Sequence, residues 1–412
     1  MFIRLPFFAI CLTFISLPTL AADWPQFRGP LGNGISTEKN LPVQWSETKN
    51  IAWKQEIPGR GWSSPSLVQG RLYLTTAVLG DKLSQRAICL NAKDGKIIWD
   101  TEIFSQDGAT APKIHGKNSH ASPTPLVEDG KVYVHFGPQG TACLNLDGKI
   151  LWKTQELAFP FVHGNGNSPV LVDGLLIFSC DGASNPFVAA LDAATGNVRW
   201  KFARESESVK RFAFATCEVI TVAGKKQVTS PGAGVVNALN PADGKEIWRV
   251  TYDGYSVIPR PVFGHGLIFM STGYDSPTML AIRPDGHGDV TDTHVEWTLK
   301  KGAPHTPSPL LVGNELYLVS DGGTASCVDA KTGEEHWSER IGTKYSASPV
   351  FADGKIYFQD ELGKGTVLKA GKKFQKLGEN GFKEESLASY CVGDGAIFVR
   401  TEKHLYKVAS GK

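Results

Sequence analysis

The phrase CLNAKDGKIIW at residues 89–99 recurs as CLNLDGKILW (143–152), ALDAATGNVRW (190–200), ALNPADGKEIW (238–248) and CVDAKTGEEHW (327–337). A looser copy ends at Trp297, and IAWKQEI near the start supplies Trp53 without its turn. Trp53, Trp99, Trp152, Trp200, Trp248, Trp297 and Trp337 are spaced by 46, 53, 48, 48, 49 and 40 residues, a period that points to a solenoid or a propeller.

A second phrase precedes each turn: Ser/Thr-Pro, an apolar run, a Gly turn and an alternating strand. It reads SSPSLVQGRLYL from 63, ASPTPLVEDGKVYV from 121, NSPVLVDGLLIF from 167, PSPLLVGNELYLV from 307 and ASPVFADGKIYF from 347. Each repeat is therefore four strands: an inner A, a tight turn, B, a variable loop, C, the Asp-Gly turn, and an outer D ending in Trp. Four antiparallel strands per repeat make a propeller blade, and the Trp of strand D is read as a wedge between neighbouring blades. Seven repeats follow, the last with Phe374 where Trp is expected. The tail LASYCVGDGAIFVRTEKHLYKVA offers three more strands, and NIAWKQEI at the other end supplies the fourth. The expected fold is all-β, an eight-bladed propeller closed by pairing the N-terminal strand with the C-terminal strands, which hides the open edges.

Composition agrees: 44 Gly and 24 Pro favour many short strands and turns. Residues 1–22 read as a cleavable export signal, with Arg4, an apolar run from Phe7 to Leu17, and Ala21 and Ala22 before Asp23. Residues 23–50 read as an N-terminal clasp lying against the ring, with Trp24, Phe27 and Arg28 available to plug the channel, and 51–412 as the propeller. The expected product is soluble and exported, periplasmic or extracellular, with no transmembrane segment after signal removal. A net charge of +2 without a basic block gives no reason to expect nucleic acid.

The phrase LDAATGNVRW and its siblings resemble the repeat of the PQQ-like propellers, a family that includes quinoprotein dehydrogenases and the propeller lipoprotein of the outer-membrane β-barrel assembly machinery. WPQFRGPLGNG and IRPDGHGDVTDTHVEW resemble segments of secreted bacterial PQQ-like repeat proteins. The resemblance spans nearly the whole chain after the signal and implies architecture rather than one activity. Family dehydrogenases cover their quinone with a pair of adjacent Cys; no two Cys are adjacent here, so PQQ is not expected and no other cofactor is predicted.

In this topology the D-to-A connections and B-to-C loops share one face, and the unusual residues fall there. The D-to-A set is Arg60, Trp62, His120, His163, Asn165, Lys210, Arg211, Phe212, Tyr255, His305, Lys344 and Tyr345. The B-to-C set is His135, Asp181, Tyr274, Asp275, Asp321, Asp360, Glu361 and Glu402. From these, with Arg260, the candidate ligand-binding residues are Trp62, His120, His163, Asn165, Arg211, Tyr255, Arg260, Asp275, His305, Asp321, Lys344 and Tyr345. Their aromatic and cationic mixture suits a polar small molecule, a glycan or a cell-envelope protein, and makes a binding or scaffold module the leading reading.

The competing reading is a lyase or hydrolase acting on a glycan. It needs His120, His163 and His305 to converge as metal ligands with Asp275 or Asp321, or a His with Tyr255 as acid and base. No local motif fixes such a geometry, so no metal is predicted. DGHGDVTD, with Asp285, His287, Asp289 and Asp292, reads as an elaborate hydrogen-bonded turn rather than a calcium loop. Cys89, Cys143 and Cys327 take the place of Ala190, Ala238 and Ala281 in other repeats, marking a small buried site and inert thiols; the pairing of Cys180, Cys217 and Cys391 is left open.

Overall fold

The computed structural model describes residues 23–410, so the expected export signal at 1–22 lies outside the described residues. Eight sheets follow one another around a ring, seven of four strands and one of five. Blade 1 is typical: Ser66–Val68 (A), Arg71–Leu79 (B), Lys82–Asn91 (C) and Ile97–Asp107 (D), each antiparallel to the next. Strands B and C are enclosed on both faces by the flanking blades; Leu175–Cys180 of blade 3 is buried at every position. Strand D alternates half-buried and exposed side chains, as in Val295–Leu299 of blade 5.

The repeated phrase has a mechanical explanation. The Nε1 atoms of Trp53, Trp99, Trp152, Trp200 and Trp297 donate to the carbonyls of Ala92, Leu146, Ala193, Pro241 and Ala330, each in the C–D turn of the following blade. The Gly of that turn, Gly95, Gly148, Gly196, Gly244 or Gly333, has φ between +71 and +82° and lies on the same ring. A Cβ there would come within 2.5–3.0 Å of the indole. Within its own blade each of Trp99, Trp152, Trp200, Trp297 and Trp337 faces a Cys or Ala on strand C, which leaves room for the ring. A bulge beside this pair recurs in blade after blade. All six described cysteines are free and buried; burial raises Cys89 and Cys327 to about 12 and Cys143 to about 11, which keeps these thiols protonated.

Two blades depart from the pattern. Trp248 donates instead to Gln227 Oε1 of its own blade, because the next blade replaces its turn with the excursion around residues 283–294. From that excursion Gly288–Asp289 pairs in parallel with Trp248 and Arg249, adding the fifth strand, while Asp289 accepts from the amide and hydroxyl of Thr291. Trp337 donates to Gly371 and packs on Phe374, the residue that stands in for the missing Trp.

The ring closes as the sequence indicates: Ile51–Glu56 runs antiparallel to His404–Ala409, with Trp53 opposite Lys407. Glu384 ties this seam together. Its carboxylate accepts from Thr401 Oγ1 (2.6 Å) and Tyr406 OH (3.2 Å), and lies 2.7 Å from His404 Nδ1 and 3.5 Å from Lys54 Nζ of the closing strand. The clasp crosses the face of the A–B turns. Trp24 pairs with Leu67, the Pro25 carbonyl accepts from Val127, and Ser36 and Gly34 bond the backbone of Phe351, so the segment runs from blades 1 and 2 to blade 7. Farther along, Trp45 packs between Tyr357 and Tyr390.

Two outcomes are expected. Gly196→Ala should lower unfolding stability by about 2 kcal/mol or more, measured in denaturant, because the new methyl meets Trp152 and the backbone is left-handed. Glu384 gives an acid limb: burial opposes ionisation, but the hydrogen bonds from Thr401 and His404 prevail and bring its carboxyl down to about 2. An unfolded Glu titrates near 4.3, so this stabilisation is complete above about pH 4.3 and is lost as pH falls toward 2. Glu384→Gln should flatten that part of the stability–pH profile.

Candidate functional site

The inner strands surround a cavity of about 350 Å³ that opens at the face of the D–A and B–C loops. Its waist is a ring of hydroxyls. The residue entering each strand A is Ser64, Thr124, Ser168, Thr216, Ser308, Ser348 or Ser389 in seven blades, and Arg260 in blade 5. The backbone N–H of every one but Thr216 donates to the hydroxyl of the next blade: Ser64 to Thr124 (3.0 Å), Thr124 to Ser168 (2.9 Å), Ser168 to Thr216 (2.9 Å), Arg260 to Ser308 (2.9 Å), Ser308 to Ser348 (3.0 Å), Ser348 to Ser389 (2.9 Å) and Ser389 back to Ser64 (3.1 Å). The ring is interrupted once, between Thr216 and Arg260. This annulus went unrecognised in the sequence although its signal was present, since five of the seven hydroxyl residues are the Ser or Thr of a Ser/Thr-Pro pair.

Below the waist the clasp supplies a floor. Phe27 lines the cavity, and its carbonyl accepts from Arg260 Nη1 at 2.9 Å. Arg260 Nε pairs with Glu218 at 2.7 Å, both side chains being buried. Arg28, 1% exposed, donates to the carbonyls of Asn33 and Pro309. Burial first, and the nearby Arg260 second, lower its guanidinium to about 9, so it remains charged at neutral pH. Arg260 is thus a correction to the sequence reading: it fastens the clasp at the channel floor and is not available at the mouth.

Above the waist, aromatic rings run in unbroken contact from the loop ahead of blade 2 to the loop ahead of blade 6. Centroid separations are 5.4 Å for His115–His163, 5.3 Å for His163–Phe212, 5.5 Å for Phe212–Tyr255, 6.4 Å for Tyr255–Tyr274 and 4.8 Å for Tyr274–His305. Lys210 Nζ sits 4.0 Å from the Tyr255 centroid and donates to its hydroxyl, which donates to Asp275 at 3.2 Å. Trp62, buried, forms the wall on the blade 1 side with Arg60 over its ring at 5.3 Å. The loop between blades 1 and 2 reaches inward: Lys117 bonds Glu361 of blade 7 at 2.7 Å, and Ser346 holds the same carboxylate oxygen. His115 and Lys117 belong to APKIHGKNSH, a stretch with no repeat counterpart, and were missed for that reason.

Of the predicted ligand residues, Trp62, His163 and Tyr255 line the cavity, with Asp275 and His305 in contact with its aromatic arc. Arg211 and Lys344 are exposed. His120 and Asn165 are corrections, for they line a separate small crevice with Ile114, Phe136 and Pro138. Tyr345 is another: it is 1% exposed and belongs to the core between blades 6 and 7, because its ring turns inward under Gly342. Asp321 is occupied structurally, accepting from the amides of His305 and Thr306 and from the Thr306 hydroxyl; burial disfavours its charge, but these bonds hold its carboxyl below the usual range. His135, Asp181 and Asp360 are buried within blade ends, Asp181 paired with Arg204 at 3.0 Å. His120, His163 and His305 therefore do not meet, and Phe212 lies between His163 and Tyr255. Among the described residues no group of three or more His, Cys, Asp or Glu is placed to hold a metal.

A PQQ-repeat family model described as outer membrane protein assembly factor BamB matches residues 43–201, 184–309 and 232–373. The chain belongs to this family. BamB of Burkholderia pseudomallei is 33% identical over 114 residues, 27% of this chain and 29% of that protein. The dehydrogenase subunit of a quinone alcohol dehydrogenase from Gluconobacter oxydans is 24% identical over 296 residues, 65% of this chain and 34% of that protein. The chain thus spans about a third of the length of these curated relatives. The crystal structure of BamB from Moraxella catarrhalis superposes with a TM-score of 0.63 at 12% identity, over 88% of this chain and 97% of that one, a likeness of fold. No helix among the described residues is long and apolar enough to cross a membrane.

Arg260→Met is expected to cost about 3–5 kcal/mol in denaturant unfolding, because Glu218 would be left buried without its counter-charge.

Proposed function

We propose that the protein is an exported binding module whose channel-mouth cavity receives the end of a glycan or a similarly flat polar ligand. The observation that carries this reading is the aromatic arc from His115 to His305 above a concave, hydroxyl-lined cavity. Rings held by mutual contact offer stacking faces at little entropy cost, while the hydroxyls below offer hydrogen bonds. The closed ring preorganises both layers before any ligand arrives.

A protein partner is the second reading, favoured by three exposed apolar side chains on mouth-face loops. Leu79 at the tip of the blade 1 hairpin is 61% exposed, Val209 before blade 4 is 97% exposed and Leu362 in blade 7 is 55% exposed. BamB relatives are named as assembly factors for outer membrane proteins, which agrees with an envelope partner.

The cavity lining does not favour PQQ. PQQ carries three carboxylates, whereas Lys117 is the single Lys or Arg among the cavity-lining residues and its ammonium is already on Glu361.

Calorimetry against a panel of neutral and acidic oligosaccharides tests the proposal. Phe212→Ala and Tyr255→Ala should each weaken binding roughly tenfold, the loss expected for one aromatic contact, with melting temperature nearly unchanged. If binding of every sugar is absent while Leu79→Asp with Val209→Asp abolishes capture of an envelope protein, the second reading replaces the first.

A further inference from the structure

We propose that the waist of the channel is an oxyanion site, in which the hydroxyl annulus binds one carboxylate, sulfate or phosphate group entering from the mouth. Each of the seven hydroxyl oxygens accepts one backbone N–H from the neighbouring blade, which fixes the oxygen and directs its own O–H away from that donor. None of those seven O–H groups donates to an acceptor within the described residues, although all seven side chains are more than nine-tenths buried and all line the cavity. A donor without an acceptor is costly when buried, and seven facing one space are satisfied together by a group rich in acceptor oxygens.

Charge points the same way and comes from different residues. The Arg28 guanidinium lies under the floor with backbone carbonyls as its partners, and its Nε and Nη1 have none. Arg260 beside it is matched by Glu218, so the pair of arginines leaves one positive charge uncompensated. No Asp or Glu lines the cavity. Buried charge acts over distance in a low-dielectric interior, so a single anionic group above Phe27 is favoured where a neutral one gains hydrogen bonds alone. Phe27 blocks the way past the annulus and fixes how deep the group enters.

The inference stands apart from the glycan reading, because a free inorganic anion binds the waist whether or not a sugar occupies the mouth. Sodium sulfate, sodium phosphate, glucuronate and the uncharged methyl ester of glucuronic acid are titrated by calorimetry into the full exported chain at constant ionic strength. Saturable one-to-one binding of sulfate or glucuronate is expected, with the ester at least about tenfold weaker, the difference one charge-assisted contact makes. The ranking of sulfate, phosphate and glucuronate then identifies the group. Arg28→Met and Ser168→Ala should each weaken sulfate binding by a similar factor in protein whose melting is still cooperative. Should those variants fail to fold, the acid-against-ester comparison on the unaltered protein decides alone. Ester binding as tight as acid binding, or no saturable binding of any of the three anions, overturns the proposal. Loss of sugar binding in Phe212→Ala alongside undetectable anion binding would overturn it while leaving the mouth reading in place.

Discussion

The fold depends on how one blade holds the next. An indole on the last strand of each typical blade lies under a left-handed glycine of the following turn and hydrogen-bonds a carbonyl of that turn. Burying a ring of this size removes roughly 150–250 Å² from water, and the N–H bond gives the contact a direction as well as a strength. A glycine is required because the backbone itself touches the ring. Tryptophan, glycine and the small residue on strand C are therefore one device distributed over two blades, and that is why they recur as one phrase.

That device fixes the angle between blades, and the angle places the inner ends of the strands close enough for a second set of contacts. At the waist the spacing allows a backbone amide of one blade to reach a hydroxyl of the next, so a Ser or Thr there serves as a joint. The outer joint is apolar and the inner one polar. The consequence is a channel whose wall is made of hydroxyl groups held by the scaffold itself, with loops above it free to carry other chemistry.

Legibility followed the repeat. Blade number, strand order and closure by Trp53 were readable because each was written several times or was conspicuous by its absence at one end. Depth within a loop was not readable. Tyr255 and Tyr345 both stand in the connection ahead of a strand A, yet one contributes to the arc and the other fills the core beneath Gly342. His120 and His163 are separated in the same manner, the first turned into a crevice between blades and the second toward the channel. A side chain's direction there is set by backbone turns such as the positive φ of His163, which composition does not encode. Lys117 escaped notice because nothing repeats it, and the Ser-Pro hydroxyls escaped notice because everything repeats them; they read as strand starts rather than as a wall.

Blade 5 shows how the exceptions are connected. It puts Arg260 where the other blades put a hydroxyl, and that leaves the Thr216 amide without the acceptor its counterparts have. The same arginine reaches down to Glu218 and to the Phe27 carbonyl, so the clasp is also fastened at the gap in the annulus. Gly32 lies against the Arg260 guanidinium with no space for a Cβ, so the clasp is shaped around this side chain. Blade 5 also gives up its C–D turn and sends residues 288–289 to the edge of blade 4. Both departures strengthen the blade 4–5 boundary, the first from the channel side and the second from the rim. Where the regular inner and outer joints are missing, the chain has supplied one substitute for each, and the inner substitute brings the floor of the cavity with it.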